Sequence, residues 1–446
     1  MSSVALNKKF SLVLPVLFYE YLAISLCKSV IPSMIVDSFG SNAYFAVGVT
    51  ETVKGLLAFV SCPFFGKISD KIGRKYCLLV TVTGTTLPVV VMAFSSNMYL
   101  YSVMLGISGF FSATFPLTFA YISDCVEKRD RAPAFGLALA TFGLSFCLGP
   151  ISGSYLAAQL GNKSVFIVAS ILVIINIIYI LTVLPETAPN VVDGESSSKK
   201  FGRAIEYLPN TWNFRETFRI FSMDSFLTNI AIIVFMYYTS VWAIVSTLMV
   251  YVVRHLNFSP IALGWLLSGY GIATMFSEGV LVRFIVPWLG ELNAMRLGLL
   301  SFAVQCVVVA FSQNPVWIYG SVLFSMLANL VYPSISSLVS KLVEEDLQGE
   351  ALGALNGIKA LTEGFGPLIF GFLMTLFENT PTPGSPYLVA GILAIWALLH
   401  SYELPPEPDI LIAKTNACMS GNEEGSGLLG LQSRSSGGES DSEQTL

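Results

Sequence analysis

Polar residues interrupt this chain briefly and at similar intervals, and between the interruptions run continuous apolar stretches without the period-two alternation of a half-buried strand. Twelve such stretches lie near residues 10–35, 44–65, 76–95, 98–122, 133–158, 164–184, 224–252, 260–285, 294–312, 316–340, 350–377 and 386–402. An α-helix needs about 20 mostly apolar residues to cross a bilayer. Helices, which satisfy their own backbone groups, are predicted over barrel strands, which would alternate. The expected fold class is an all-α polytopic membrane protein with twelve transmembrane helices. The first run follows Lys8 and Lys9 and continues past Pro32 without a small-residue cleavage pattern, so it reads as an uncleaved helix.

Composition narrows the class further. Of 446 residues, 54% are hydrophobic and 12% charged, and the mean hydropathy is +0.69, so lipid is the expected solvent. Seven cysteines, most of them within predicted spans, form no disulfide framework or metal motif, and His255 and His400 are the only histidines. Neither a metal site nor a cofactor is expected. Without a nucleotide-binding loop, a nucleophile motif or a metal constellation, an enzyme is not expected either. The formal charge of -5 resides in the tail, where eight acids after Tyr402 face only Lys414 and Arg434. Nucleic acid is not an expected partner.

Charge also orients the chain. With the N-terminus inside, 19 of the 24 lysines and arginines fall on the inner side, only Lys163 and Arg254 fall in outer loops, and Lys28, Lys54 and Lys359 fall within spans. That asymmetry predicts both termini in the cytoplasm. The polar stretch 185–223, with Ser196 to Lys200 in succession, reads as a cytoplasmic central linker between halves at 1–184 and 224–402; residues 403–446, rich in Gly, Ser and acids, read as a disordered cytoplasmic tail. Sequons at Asn162-Lys163-Ser164 and Asn257-Phe258-Ser259 lie in outer loops so short that the membrane stands close to both.

The two halves are related. Adding 217 to a position takes Gly73 to Gly290, Pro116 to Pro333, Ser123 to Ser340, Glu127 to Glu344, Gly136 to Gly353, Leu144 to Leu361 and Gly149-Pro150 to Gly366-Pro367. This offset advances six spans, so the halves are parallel six-helix repeats, an arrangement that places a solute site between them near the midplane.

Between the second and third spans the chain reads Gly66-Lys67-Ile68-Ser69-Asp70-Lys71-Ile72-Gly73-Arg74-Lys75. Gly66 and Gly73 permit tight turns and close helix approach, while Asp70, Arg74 and Lys75 can pair with helix ends and neighbouring charges. The segment resembles the signature loop of the major facilitator superfamily, Gly-x-x-x-Asp-x-x-Gly-Arg-Lys/Arg, at every key position. Gly149-Pro150-Ile151-Ser152-Gly153 resembles that superfamily's antiporter motif, with Ser145 where an upstream glycine is expected; plain helix packing is the other reading. Leu105, four residues before Gly109, stands where many proton-coupled members carry an arginine.

Glu51 to Leu57, Phe119 to Asp124 and Gly357 to Pro367 extend the resemblance to the tetracycline-resistance-like branch, and within it to the hippocampus abundant transcript group. The resemblance implies a solute transporter in which the first, fourth, seventh and tenth spans line a cavity and the second and eleventh face each other.

Ionisable groups within spans are costly and are expected to face a cavity or a partner. Glu51 with Lys54 and Lys359 with Glu363 are spaced to neutralise each other along one helical face, whereas Glu20 and Lys28, eight apart on a similar face, cannot touch. Glu20, with no partner within a turn, is the first candidate for a protonatable coupling residue; an ion pair with Lys54 or another helix is the structural alternative. Glu278, five residues before Arg283, reads as a gate or headgroup contact. Tyr237, Tyr238 and Trp242 in the seventh span, with Asn329 and Tyr332 in the tenth, are the substrate-cavity candidates, and their mixed surface suits a neutral or amphipathic organic solute.

Glu424-Gly425-Ser426-Gly427-Leu428-Leu429 resembles an acidic dileucine signal, which would recruit sorting adaptors, so the expected location is the plasma membrane or, if that signal is read, endosomal or lysosomal membrane. The leading expectation is a secondary transporter working by alternating access, by proton-coupled exchange or export of a small organic solute. The alternatives are a transporter-like receptor or trafficking partner and an ion-independent facilitator.

Overall fold

A computed structural model of the chain describes residues 10–126, 131–187, 225–342 and 348–405. Twelve helical segments are long and apolar enough to cross a membrane, and no strand occurs among the described residues. The fold is all-α, in two parallel six-helix repeats. The first crossing is Leu14–Lys28 continued by Ile31–Phe39. Gly40, at φ 53°, then turns the chain into the second crossing, Ala43–Ile72. The rest of the first half is Arg74–Phe94, Met98–Ser108 continued by Thr114–Cys125, Arg131–Leu160 and Asn162–Thr182. The second half runs Ser225–His255, Pro260–Leu289, Glu291–Ala310, Pro315–Ala328 continued by Val331–Leu342, Gln348–Phe377 and Ser385–His400. The eighth crossing contains a π turn at Ser277–Leu281.

Three crossings break where a proline withholds an N–H. Pro32, Pro116 and Pro333 cannot donate to the carbonyls of Lys28, Ser112 and Asn329, four residues earlier, and the helices break at Ser29–Val30, Ser112–Ala113 and Asn329–Leu330. The last two are counterparts under the 217-residue repeat. Expected boundaries mostly hold, with the first crossing extending to Phe39 and the eleventh beginning at Gln348. Of the expected linker 185–223, residues 188–223 lie outside the described residues, as do 406–446 of the expected tail.

Two apolar cores fill the bundle. One, with Phe10, Leu17, Phe65, Leu78, Leu117 and Tyr121, draws on the first half alone, beside the Gly66–Lys75 loop. The other joins both halves, from Leu26, Tyr44 and Met98 to Tyr251 and Phe370. The halves therefore share a core at the end opposite that loop, whereas at the loop end the first half keeps its own.

Candidate functional site

Two seams hold the halves together, and small residues set both. Where the second crossing meets the eleventh, a Cβ at Gly48 would stand 2.7 Å from the Pro367 carbonyl oxygen and 3.1 Å from the Gly371 Cα. Deeper in the same seam, Gly55 lies against the backbone of Glu363. Where the fifth meets the eighth, a Cβ at Gly264 would stand 2.7 Å from the Pro150 carbonyl oxygen, and one at Gly271 would stand 2.9 Å from the Cys147 nitrogen and the Phe146 carbonyl carbon. Pro150 and Phe146 are the 217-residue counterparts of Pro367 and Glu363, so the second seam repeats the first.

The glycine-proline motifs also bind each half internally. Gly149 packs on Ser25 and Gly153 on the carbonyl of Leu26, fastening the fifth crossing to the first; Gly366 packs on Trp242, the counterpart of Ser25. Ser145 replaces the expected glycine and closes the same contact by hydrogen bonds. Its Oγ donates to the Phe18 carbonyl at 3.2 Å, and its carbonyl accepts from Ser25 Oγ at 2.9 Å. By contrast, Gly66, Gly136, Gly279 and Gly353, near the loop end of the second, fifth, eighth and eleventh crossings, have no described atom within 4 Å of a would-be Cβ. Close approach at Gly66 was expected and is not found, because that end of the second crossing packs on its own half.

Between the seams lies a cavity of about 380 Å³, lined by residues of both halves. Among the cavity candidates, Tyr237 and Asn329 line it, held by bonds from the Tyr237 hydroxyl to the Ala328 carbonyl at 3.0 Å and from Asn329 Nδ2 to Thr274 Oγ1 at 3.2 Å. Trp242 is spent on packing against Gly366, and Tyr332 donates to Asn356 Oδ1 at 2.7 Å and with Tyr238 flanks Lys359 instead. Reasoning from sequence did not find Tyr270 and Gln305, bonded at 3.0 Å in the eighth and ninth crossings, nor Phe142, Phe146 and Phe302. For Tyr270, Phe142 and Phe146 the signal was the 217-residue repeat, which makes the fifth and eighth crossings the counterparts of the eleventh and second, whereas nothing in the chain singles out Gln305 and Phe302.

The intramembrane charges divide into three groups. Glu51 and Lys54 pair at 3.1 Å, as their spacing predicts. Lys359 and Glu363 do not pair: Lys359 Nζ lies 5.0 Å from the Tyr238 ring centre and 4.9 Å from that of Tyr332, while Glu363 sits across the seam within electrostatic reach of Lys54 and Glu51. The aromatic side chains of the seventh and tenth crossings draw the ammonium away from the carboxylate on its own helix. Glu20 and Lys28 do not share a face. Glu20 is 1% exposed inside the first half, where its Oε1 accepts from Thr85 at 2.6 Å and Thr114 at 3.0 Å and its Oε2 has no hydrogen-bond partner among the described residues; Lys28 lines the cavity. No Glu20–Lys54 ion pair forms, because Lys54 is engaged with Glu51. Glu278 falls in the π turn, exposed and within electrostatic reach of Lys359.

At the loop end, Gly73 at φ 116° lets the chain turn directly into the third crossing, and the Glu186 carboxylate lies where its Cβ would be. Glu186 caps that helix, accepting from the backbone N–H of Arg74 at 2.7 Å and of Lys75 at 3.2 Å, in keeping with the positive end of a helix dipole. Arg74 reaches Asp124 at 3.0 Å and also binds Asp70 and Ser69, while Lys75 Nζ donates to the Leu181 carbonyl at 2.9 Å. The counterparts of Arg74 and Asp124 are Glu291 and Lys341, which also pair, with the charges exchanged. At the opposite end, Arg254 binds both the Gly40 carbonyl and Glu378, joining the first, seventh and eleventh crossings. Burial pushes the Glu378 carboxyl above its ordinary range, against the pull of Arg254.

Comparison with known proteins agrees with this architecture. The family model described as Major Facilitator Superfamily matches residues 13–239 and 230–417. Hippocampus abundant transcript-like protein 1 of Bos taurus is 30% identical over 383 residues, covering 85% of this chain and 74% of that protein. The class E tetracycline resistance protein of Escherichia coli is 25% identical over 377 residues, covering 84% and 90%. Among solved structures, a D-xylose-proton symporter superposes with a TM-score of 0.69 at 16% identity, covering 92% of this chain and 99% of the other. The human organic anion transporter MFSD10 (TETRAN) superposes with a TM-score of 0.63 at 19% identity, covering 90% and 100%.

Proposed function

The chain belongs to the major facilitator superfamily, a family of membrane transporters, and from that premise we propose that it moves a small organic solute by alternating access, through proton-coupled exchange or export. The observation that carries this reading is the cavity of about 380 Å³ between two halves whose close glycine contacts, among the described residues, lie at the middle and towards the end opposite the Gly66–Lys75 loop. That volume falls in the range of pockets for small organic ligands. With both termini in the cytoplasm, as the lysine and arginine asymmetry supports, the cavity would be reached from the cytoplasmic side, and rocking of the halves would transfer access to the other.

Proton coupling is supported by Glu20, a buried carboxyl with one oxygen unpartnered and two threonine hydroxyls fixing the other. The third and fourth crossings supply those hydroxyls, so a change of charge at Glu20 would be felt by three helices of the first half. A solved neighbour of the same fold is named as a D-xylose-proton symporter, which is in keeping with this reading.

The test is thermal stabilisation of the purified full-length protein by a library of sugars, amino acids, organic ions and drugs at two pH values, followed by flux of each hit into proteoliposomes. Ligand binding stabilises the folded state by mass action. A hit that is transported against its gradient when a pH gradient is imposed, and not in Glu20→Gln, is the expected result. Transport by Glu20→Gln that still responds fully to the pH gradient would remove Glu20 from the mechanism. A folded protein that binds and moves nothing would favour a receptor or trafficking role.

A further inference from the structure

Two charged residues line the cavity, Lys28 and Glu51, and they are not equivalent. Glu51 is committed to Lys54 at 3.1 Å. Lys28 is exposed in the cavity although the residues on either side of it along the helix are buried, and no described carboxylate stands within ion-pair distance of it. Its ammonium lies over the face of Phe146, whose ring centre is 5.2 Å from Nζ. Glu51, Lys54 and Glu363 act on it through space, but Glu51 and Lys54 satisfy each other, and Glu363 has Lys54 as its foremost electrostatic partner.

The position of Lys28 is built into the backbone. It is the last residue of the first helical segment, where Pro32 withholds the N–H that would continue the helix through the Lys28 carbonyl. An ammonium placed near the middle of a bilayer costs free energy unless water or an anion meets it. Here a cavity meets it, and the wall around it is largely apolar and aromatic, with Phe142, Phe146, Tyr237 and Phe302 among its members.

We propose that the cavity takes an amphipathic organic anion, its carboxylate or sulfonate head on Lys28 and its apolar body against the Phe142, Phe146 and Phe302 rings. Lys28 supplies up to three N–H donors to such a head, and the ring of Phe146 holds the ammonium in place without neutralising it. A cationic solute would instead have to compete with Lys54 for Glu51. This assignment rests on the transport reading above and names the charge of the cargo.

The experiment uses sets of molecules with one body and three heads: 1-naphthylacetate, 1-naphthylacetamide and 2-(1-naphthyl)ethylammonium, with phenyl and decyl sets built the same way. Affinity and melting temperature are measured on the full-length protein in nanodiscs, for wild type, Lys28→Gln and Lys28→Arg. Carboxylates are expected to bind at least tenfold more tightly than their amides and amines, to lose that preference in Lys28→Gln and to keep it in Lys28→Arg. A purely structural Lys28 would change the ligand-free melting temperature and leave the order of the three heads intact. The proposal falls if amines or amides bind best, or if Lys28→Gln retains the carboxylate preference; either result leaves solute transport standing. If the folded wild type binds no set of any charge, this proposal falls, while the transport reading stands or falls with the wider library of sugars, amino acids, organic ions and drugs.

Discussion

Gly48 meets Pro367 in one seam and Gly264 meets Pro150 in the other; Gly55 meets Glu363 in one and Gly271 meets Phe146 in the other. These backbone contacts superpose under the internal repeat to within one residue, yet the side chains around them differ in kind. The seam of the second and eleventh crossings carries Glu51, Lys54, Lys359 and Glu363. The 217-residue counterparts of these four, in the seam of the fifth and eighth, are Ser268, Gly271, Phe142 and Phe146. Duplication has thus kept the parts that let two helices approach and has changed the parts that carry charge. A symmetric hinge and an asymmetric chemistry can coexist because close packing of helices in lipid depends on small residues, whatever stands beside them.

The largest test of that comparison is to strip the charged seam of its central cation. Lys54→Leu takes from Glu51 its ion-pair partner and from Glu363 its foremost cation, and a broken buried pair costs about 3 kcal/mol, read as a loss of unfolding free energy in nanodiscs. The double variant Glu51→Gln/Lys54→Leu, which makes the seam more like its uncharged counterpart, should recover most of the loss. If the double variant is no better than the single, the charges do not act as a unit.

Next in size, Gly48→Val and Gly264→Val each force a side chain into a backbone contact, and overpacking of that kind costs about 1–3 kcal/mol. The two losses should match within error. Unequal losses would show that the seams, though related by the repeat, bear different loads.

Gly353→Ala probes the loop end of the eleventh crossing, where a Cβ meets nothing described within 4 Å. Replacing a helical glycine there should raise stability by about 0.5–1 kcal/mol. Loss of solute flux together with that gain would show that the position comes into contact when the loop end closes.

The smallest effect is a trend at the opposite end. Because burial raises the Glu378 carboxyl above its ordinary value of 4.5, the folded state favours the protonated form. Its contribution to stability is therefore complete below that value and is lost as pH rises through the raised one. The melting temperature of wild type relative to Glu378→Gln should fall as pH increases across this window; a rise would mean that Arg254 dominates.

Much of this was legible in the chain. Continuous apolar runs located all twelve crossings, and the offset from Gly149-Pro150 to Gly366-Pro367 revealed the repeat, because both signals are local or periodic. The Glu51–Lys54 pair was legible for the same reason: three residues along a helix fix the geometry. Lys359 escaped, since its aromatic partners come from the seventh and tenth crossings and spacing within one helix says nothing of neighbours. Trp242 escapes similarly: the chain alone presents it as a cavity residue, and Gly366 of another crossing occupies its face. The exchanged pair Glu291–Lys341 was hidden because a repeat sought by identity overlooks positions that keep a partnership while reversing its sign.

The tie between Arg254 and Gly40 has one more consequence. Its acceptor in the first half is a main-chain carbonyl, at a position where φ is 53° and no described atom lies within 4 Å of a would-be Cβ. No exchange of side chain at residue 40 deletes that oxygen; it can only move it. Inheritance of this fastening therefore rests with the second half, where Arg254 and Glu378 are single codons open to loss, while the first half offers a docking point that mutation can displace but not erase.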